Sequence, residues 1–147
     1  MRIVLPLPDK MLSPNGRPTR RQKIRLVKEA RALAFAIAWQ QRNGQPTIEV
    51  AEATETFYWP DAARRDVRNA EAAMKPYWDG IVDATLIRDD DYIHLTHLPT
   101  RFQIDRKRPR VEIEIVAHEK TRLPQGQAGF DSYGNFGVVL HHPRSHP

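Results

Sequence analysis

The chain contains no cysteine. That excludes disulfides, a thiolate nucleophile and a cysteine-bound zinc. It also lacks a long apolar run. The longest, Ala32 to Trp39, falls well short of the roughly 20 residues a membrane span needs. Pro6, Pro8 and Asp9 interrupt the N-terminus too early for a secretory signal. No internal repeat is present, which excludes a solenoid. These absences describe a soluble protein of a reducing, cytoplasmic compartment, with no membrane partner.

What remains is a chain of 147 residues, 40% hydrophobic and 28% charged. That is enough for one hydrophobic core and too rich in apolar residues for disorder. The formal charge of +5 and pI near 9.8 point to a polyanionic partner.

Residues Arg2 to Leu7 read as a strand and Lys10 to Pro18 as a loop. Thr19 followed by Gln22 gives the capping-box pattern of a helix start, and Asn43-Gly44 ends that helix. Leu26, Val27, Ala30, Leu33, Ala34, Ile37 and Ala38 recur at helical spacing and predict a buried face. Thr47 to Tyr58 reads as a strand with imperfect alternation near Glu52. A second helix starts near Val67, with Ala70, Ala73, Met74, Tyr77, Trp78, Ile81 and Val82 as its apolar stripe. Pro76 must kink or divide it. Tyr92 to Ile104 reads as a strand bent at Pro99, and Arg110 to Ala117 as a strand with Val111, Ile113 and Ile115 on one face. Trp39 and Trp78 are expected in the core and Trp59 near the site. The order β-α-β-α-β-β predicts an α+β fold: a single mixed β-sheet with two main helices packed on one face. Residues 1–118 form the domain. Residues 119–147 read as a flexible, loosely structured C-terminal tail, with a short strand at Gly137 to Leu140 as an option.

Charge is unevenly spread. Arg17, Arg20, Arg21 and Lys23 crowd the start of the first helix. Arg64 and Arg65 precede the second, and Arg106, Lys107 and Arg108 occupy a late turn. Each could contact phosphates and release counterions; the bland alternative is a solvated basic face. Against this background Asp79, Asp83, Asp89, Asp90 and Asp91 fall within thirteen residues. Consecutive carboxylates disfavour one another's ionisation, which a hard divalent cation relieves. From composition alone, a polar turn between helix and strand, where aspartate is common, is the simpler explanation. Asp66, one residue before the second helix, can cap it. His94 and His97, three apart on a strand, face opposite sides and are not a chelating pair.

The stretches LPLPDKMLSPNGR, FYWPDAARRD and KPYWDGIVDATLIRDDD resemble the RusA-type Holliday junction resolvases, small endonucleases that cut four-way DNA junctions. The resemblance covers most of residues 3 to 117. It implies a homodimeric, Mg²⁺-dependent endodeoxyribonuclease of DNA recombination and repair, with Mn²⁺ as a substitute. By it, Asp66 and Asp90 are catalytic and metal-binding aspartates, and Asn69 is the asparagine that follows the first of them. Lys75 is the helix lysine counted back from Asp79, although it lies about one turn late counted from Asn69. Asp89 and Asp91 are further site candidates. The departure is Arg68, where the family pattern has a second aspartate. Three accounts are open. Asp61, Glu71, Asp89 or Asp91 completes the site, Arg68 itself contacts the scissile phosphate, or the protein binds junctions without cutting them.

Overall fold

A computed structural model describes residues 1–118. The expected tail, with its optional strand and with Phe130, Tyr133, Phe136, His141, His142 and His146, lies outside the described residues. The fold is α+β. Five strands, β1 (Arg2–Leu5), β2 (Ala51–Trp59), β3 (Leu95–His97), β4 (Arg101–Ile104) and β5 (Arg110–Ala117), form one mixed sheet in the order β1-β5-β2-β3, with β4 also paired to β2. β5 runs antiparallel to β1 and β2, whereas β3 and β4 run parallel to β2. The parallel pairing requires a crossover, and the second helical region supplies it.

Local chemistry sets the element ends. Helix α1 (Arg20–Arg42) begins at Thr19, whose hydroxyl accepts the Gln22 amide while the Gln22 side chain accepts the Thr19 amide. It ends at Asn43, which takes the left-handed conformation with φ 44°. Pro76 divides the second helix rather than kinking it. α2 (Val67–Ala73) stops at Met74 and α3 (Lys75–Asp83) restarts with the proline in its first turn, where no backbone donor is needed.

Four sequence expectations need correction. The strand from Tyr92 to Ile104 is two short strands, because residues 98–100 interrupt the pairing along β2 and Tyr92 and Ile93 lie in a turn exposed to solvent. β2 starts at Ala51, and Ile48 makes only an isolated bridge to Ile87. Trp39 is 56% exposed and lies outside the core. It stacks on Phe35 at 6.0 Å with the Arg42 guanidinium 5.9 Å away, near the end of α1. Leu33, expected on the buried face, is also exposed, and the fully buried residues of α1 are Ala34 and Ala38.

The core fills the space between the helices and one sheet face: Ile3, Leu5, Ala53, Phe57, Val111, Ile113 and Ile115 against Ala34, Ala38, Trp78 and Ile81. Small residues let α1 and α3 approach closely. A Cβ on Gly80 would lie 2.3 Å from the Arg31 carbonyl oxygen. Beside that crossing, Arg31 and Asp83 form a bidentate pair at 2.5 and 2.7 Å. No helix among the described residues is long and apolar enough to cross a membrane.

Candidate active-site cleft

Period alone separates the side chains of α2. Residues 66, 69, 70 and 73 follow one stripe; 68, 71, 72 and 75 follow another. Each stripe lines its own cavity. Asp66, Asn69, Arg64, Lys10, Ser13 and Asn15 border one. Arg68, Glu71, Lys75, Asp90, Glu55 and His97 border the other, of about 740 Å³. Val67 borders both.

Asp66 caps α2. Its Oδ1 accepts the Asn69 amide at 3.0 Å. Trp59 lies in the same cavity, with the Arg65 guanidinium over its ring at 4.3 Å. Arg65 is further held by the Asp61 carboxylate at 2.7 Å. The Ala63 amide and Arg65 together keep the Asp61 carboxyl below its usual range. Arg64, Arg106, Lys107 and Arg108 stay exposed, as do Arg17, Arg20, Arg21 and Lys23 on the first helix and its leading loop. The β4–β5 turn is tied to the end of β2 by the Asp105 amide on the Trp59 carbonyl, 2.8 Å. Two of the basic groups therefore gather at one end of the sheet.

Across α2, the Lys75 ammonium donates to Asp90 at 2.6 Å and contacts Asp79 at 2.9 Å. These bonds hold its pKa above the ordinary lysine value. The three consecutive aspartates do separate work. Asp89 accepts the Asp90 amide, and Asp91 accepts the amides of Ile93 and His94 and contacts the His94 ring at 2.8 Å. Asp90 is the one of the three that lines the cavity. Of the four carboxylates considered as replacements for the missing aspartate, Glu71 is the one on this cavity, and its Oε1 accepts the Thr100 hydroxyl at 2.8 Å. Arg68 stands 3.6 Å from Glu71, with its side chain 93% exposed.

The structure therefore brings Lys75 to Asp90, and Asp66 borders the adjoining cavity. Asp66 and Asp90, expected from the sequence to share one ion, thus line different cavities. Among the described residues, no three acidic or histidine side chains surround one point.

One group was missed entirely. Glu55 sits in the inward-facing row of β2 between Ala53 and Phe57 and is only 4% exposed. Its Oε1 accepts the Trp78 indole N–H at 2.6 Å, and its Oε2 is buried without a partner. Burial pushes its carboxyl up to about 7, the Trp78 bond pulls the other way, and the charge of Glu71 adds to the rise. The signal was available: the alternation Ala51, Ala53, Glu55, Phe57 puts a carboxylate on the core face. His97 packs edge-on to Trp78 at 5.0 Å, and burial lowers its pKa against the opposing charges of Asp90 and Glu71. His94 and His97 keep separate partners and do not form a chelating pair. The donors of this cavity are mainly carboxylate oxygens and one is orphaned, a set that suits a hard cation.

No family model matches the chain. An "Uncharacterized protein" from Xylella fastidiosa (strain Temecula1 / ATCC 700964) is similar to it, 34% identical over 94 residues, which is 62% of this chain and 61% of that protein. The chain thus spans less than two thirds of that relative's length.

Proposed function

We propose that the protein is a Mg²⁺-dependent endodeoxyribonuclease that resolves four-way DNA junctions by paired nicks, acting as a homodimer. The observation that carries the reading is the 2.6 Å bond from Lys75 to Asp90. It ties the first residue of the stretch KPYWDGIVDATLIRDDD, on which the resemblance rests most, to the aspartate near its end. A bound Mg²⁺ or Mn²⁺ would polarise a non-bridging phosphate oxygen and lower the pKa of a water. Lys75 orients Asp90 and offers a point charge to the phosphate as negative charge develops. Arg64, Arg106, Lys107 and Arg108 hold flanking duplex by its backbone, so affinity falls with salt. Two-fold symmetry in a dimer would set one cleft on each of two opposed strands.

A second reading, a non-catalytic junction-binding protein, is favoured by two observations. Arg68 stands where the resembled family has a carboxylate, and Asp66 and Asp90 line different cavities. A synthetic four-way junction incubated with the protein and Mg²⁺ or Mn²⁺ distinguishes them. The nuclease yields paired nicks that disappear in Asp90→Asn. The binding protein yields a salt-sensitive gel shift without nicks. Nicking that persists in both Asp66→Asn and Asp90→Asn removes this site assignment.

A further inference from the structure

We propose that Glu55 and Glu71 are the ligand pair for a divalent cation in the cleft that also holds Lys75 and Asp90. The inference rests on the ion-dependent reading above and names the side chains that would hold the ion. It places the ion in the cavity of Asp90 rather than in that of Asp66.

The first argument is an unmet bond. Glu55 is nine-tenths buried, and one of its oxygens has no donor. Leaving a buried acceptor empty costs free energy, more so when the group is charged. Native structures keep few such atoms, and each calls for an explanation. A pure packing role is poorly served by glutamate, because Ala53 and Phe57 on the same row fill the core without that cost.

The second argument is charge. Glu71 faces the same cavity, and its negative charge opposes that of Glu55. A cation between them would relieve the repulsion. Of the protein's own cations nearby, Lys75 is bonded to Asp79 and Asp90, and Arg68 pairs with Glu71 at 3.6 Å from the solvent side; neither is bonded to Glu55.

The third argument is donor chemistry. Carboxylate oxygens select a hard ion, and Mg²⁺ is commonly held by only one or two carboxylates, with waters and phosphate oxygens in its remaining positions. A two-carboxylate site is therefore sufficient, and it leaves positions for a DNA phosphate.

The test is Mn²⁺ binding to the full chain at pH 8 without DNA, followed by calorimetry and by loss of the free-ion paramagnetic signal. One ion per chain is expected. Glu55→Gln and Glu71→Gln should each weaken binding about tenfold or more, while Glu29→Gln on α1 should not. Glutamine can still accept the Trp78 N–H, and a thermal melt checks that Glu55→Gln folds; Glu71→Gln, on the partly exposed side of α2, provides the second variant. No Mn²⁺ binding by the natural protein, or unchanged binding in both variants, overturns the proposal. Junction nicking measured in parallel separates the two readings. Glutamate-dependent binding without nicks keeps the ion pair and removes the nuclease. Nicks with unchanged binding in both variants remove the ion pair and keep the nuclease.

Discussion

The ammonium of Lys75 bridges Asp79 on its own helix, 2.9 Å away, and Asp90 on the following loop, 2.6 Å away. This contact holds the acidic loop against α3. It also places the one loop aspartate that lines the cleft under a positive charge rather than in free solvent.

Replacing Lys75 with alanine separates its two roles. The side chain is 63% exposed, so the ion pairs contribute about 1 kcal/mol or less to stability. If the ammonium also offsets charge on the phosphate, nicking falls by about a hundredfold. Single-turnover cleavage and urea denaturation, run on the same preparation, measure both quantities. A large stability loss with a proportionate activity loss would reduce Lys75 to a structural strut.

Arg68 provides the second prediction. Its guanidinium is nearly fully exposed and 3.6 Å from Glu71, so Arg68→Asp should leave the melting temperature almost unchanged. The new carboxylate would join Glu71 and Asp90 on the same cavity. Mn²⁺ affinity should rise by about tenfold, the scale on which nearby carboxylates tune a metal site, and nicking should quicken. A sharp fall in nicking with improved ion binding would instead place the natural guanidinium at the phosphate.

The third prediction concerns pH. The folded-state pKa of Glu55 is raised from 4.5 to about 7, so the folded protein binds this proton more tightly than the unfolded chain. The contribution to stability is complete below pH 4.5 and is lost as pH rises through about 7. Its size is on the order of 3 kcal/mol. His97 acts in the opposite sense, because its lowered pKa removes stability as pH falls. Glu71 and Asp90 face the same cavity, with Lys75 and Arg68 as the nearby cations. Subtracting Glu55→Gln from the natural protein isolates the one carboxyl. Urea denaturation at intervals from pH 4 to 8 should show the natural protein losing ground against the variant as pH rises. Parallel curves would mean that Glu55 titrates normally.

How far these features were legible depends on their range. The Thr19–Gln22 cap and the division at Pro76 involve neighbours in sequence, so residue chemistry decided them. The inward row of β5 followed from strict alternation. Trp39 did not follow, because a helix pattern cannot show where a helix extends past the surface it packs on. The opposed faces of residues 66 and 68 were implicit in the helical period. Which face the Asp90 loop would meet was not, since that depends on the tertiary bond to Lys75. Glu55 follows from the same alternation as Ala51, Ala53 and Phe57, but its partner does not, since Trp78 lies twenty-three residues away.

Gly80 tests the packing that holds this cleft in place. A Cβ there would lie 2.3 Å from the Arg31 carbonyl oxygen and 2.9 Å from both the Ala34 Cβ and the Phe35 amide nitrogen. Two of these contacts are backbone, which cannot rotate away. Gly80→Ala must therefore push α1 from α3 and strain the Arg31–Asp83 pair. Alanine's higher helix propensity is worth at most about 1 kcal/mol, whereas overpacking costs about 1–3 kcal/mol and occasionally more. The net effect in urea denaturation should be destabilising. Because α3 carries Lys75, Asp79 and Trp78, the same shift should weaken junction nicking under conditions where the variant is still folded. A gain in stability would show that the two helices are not in close contact at this point.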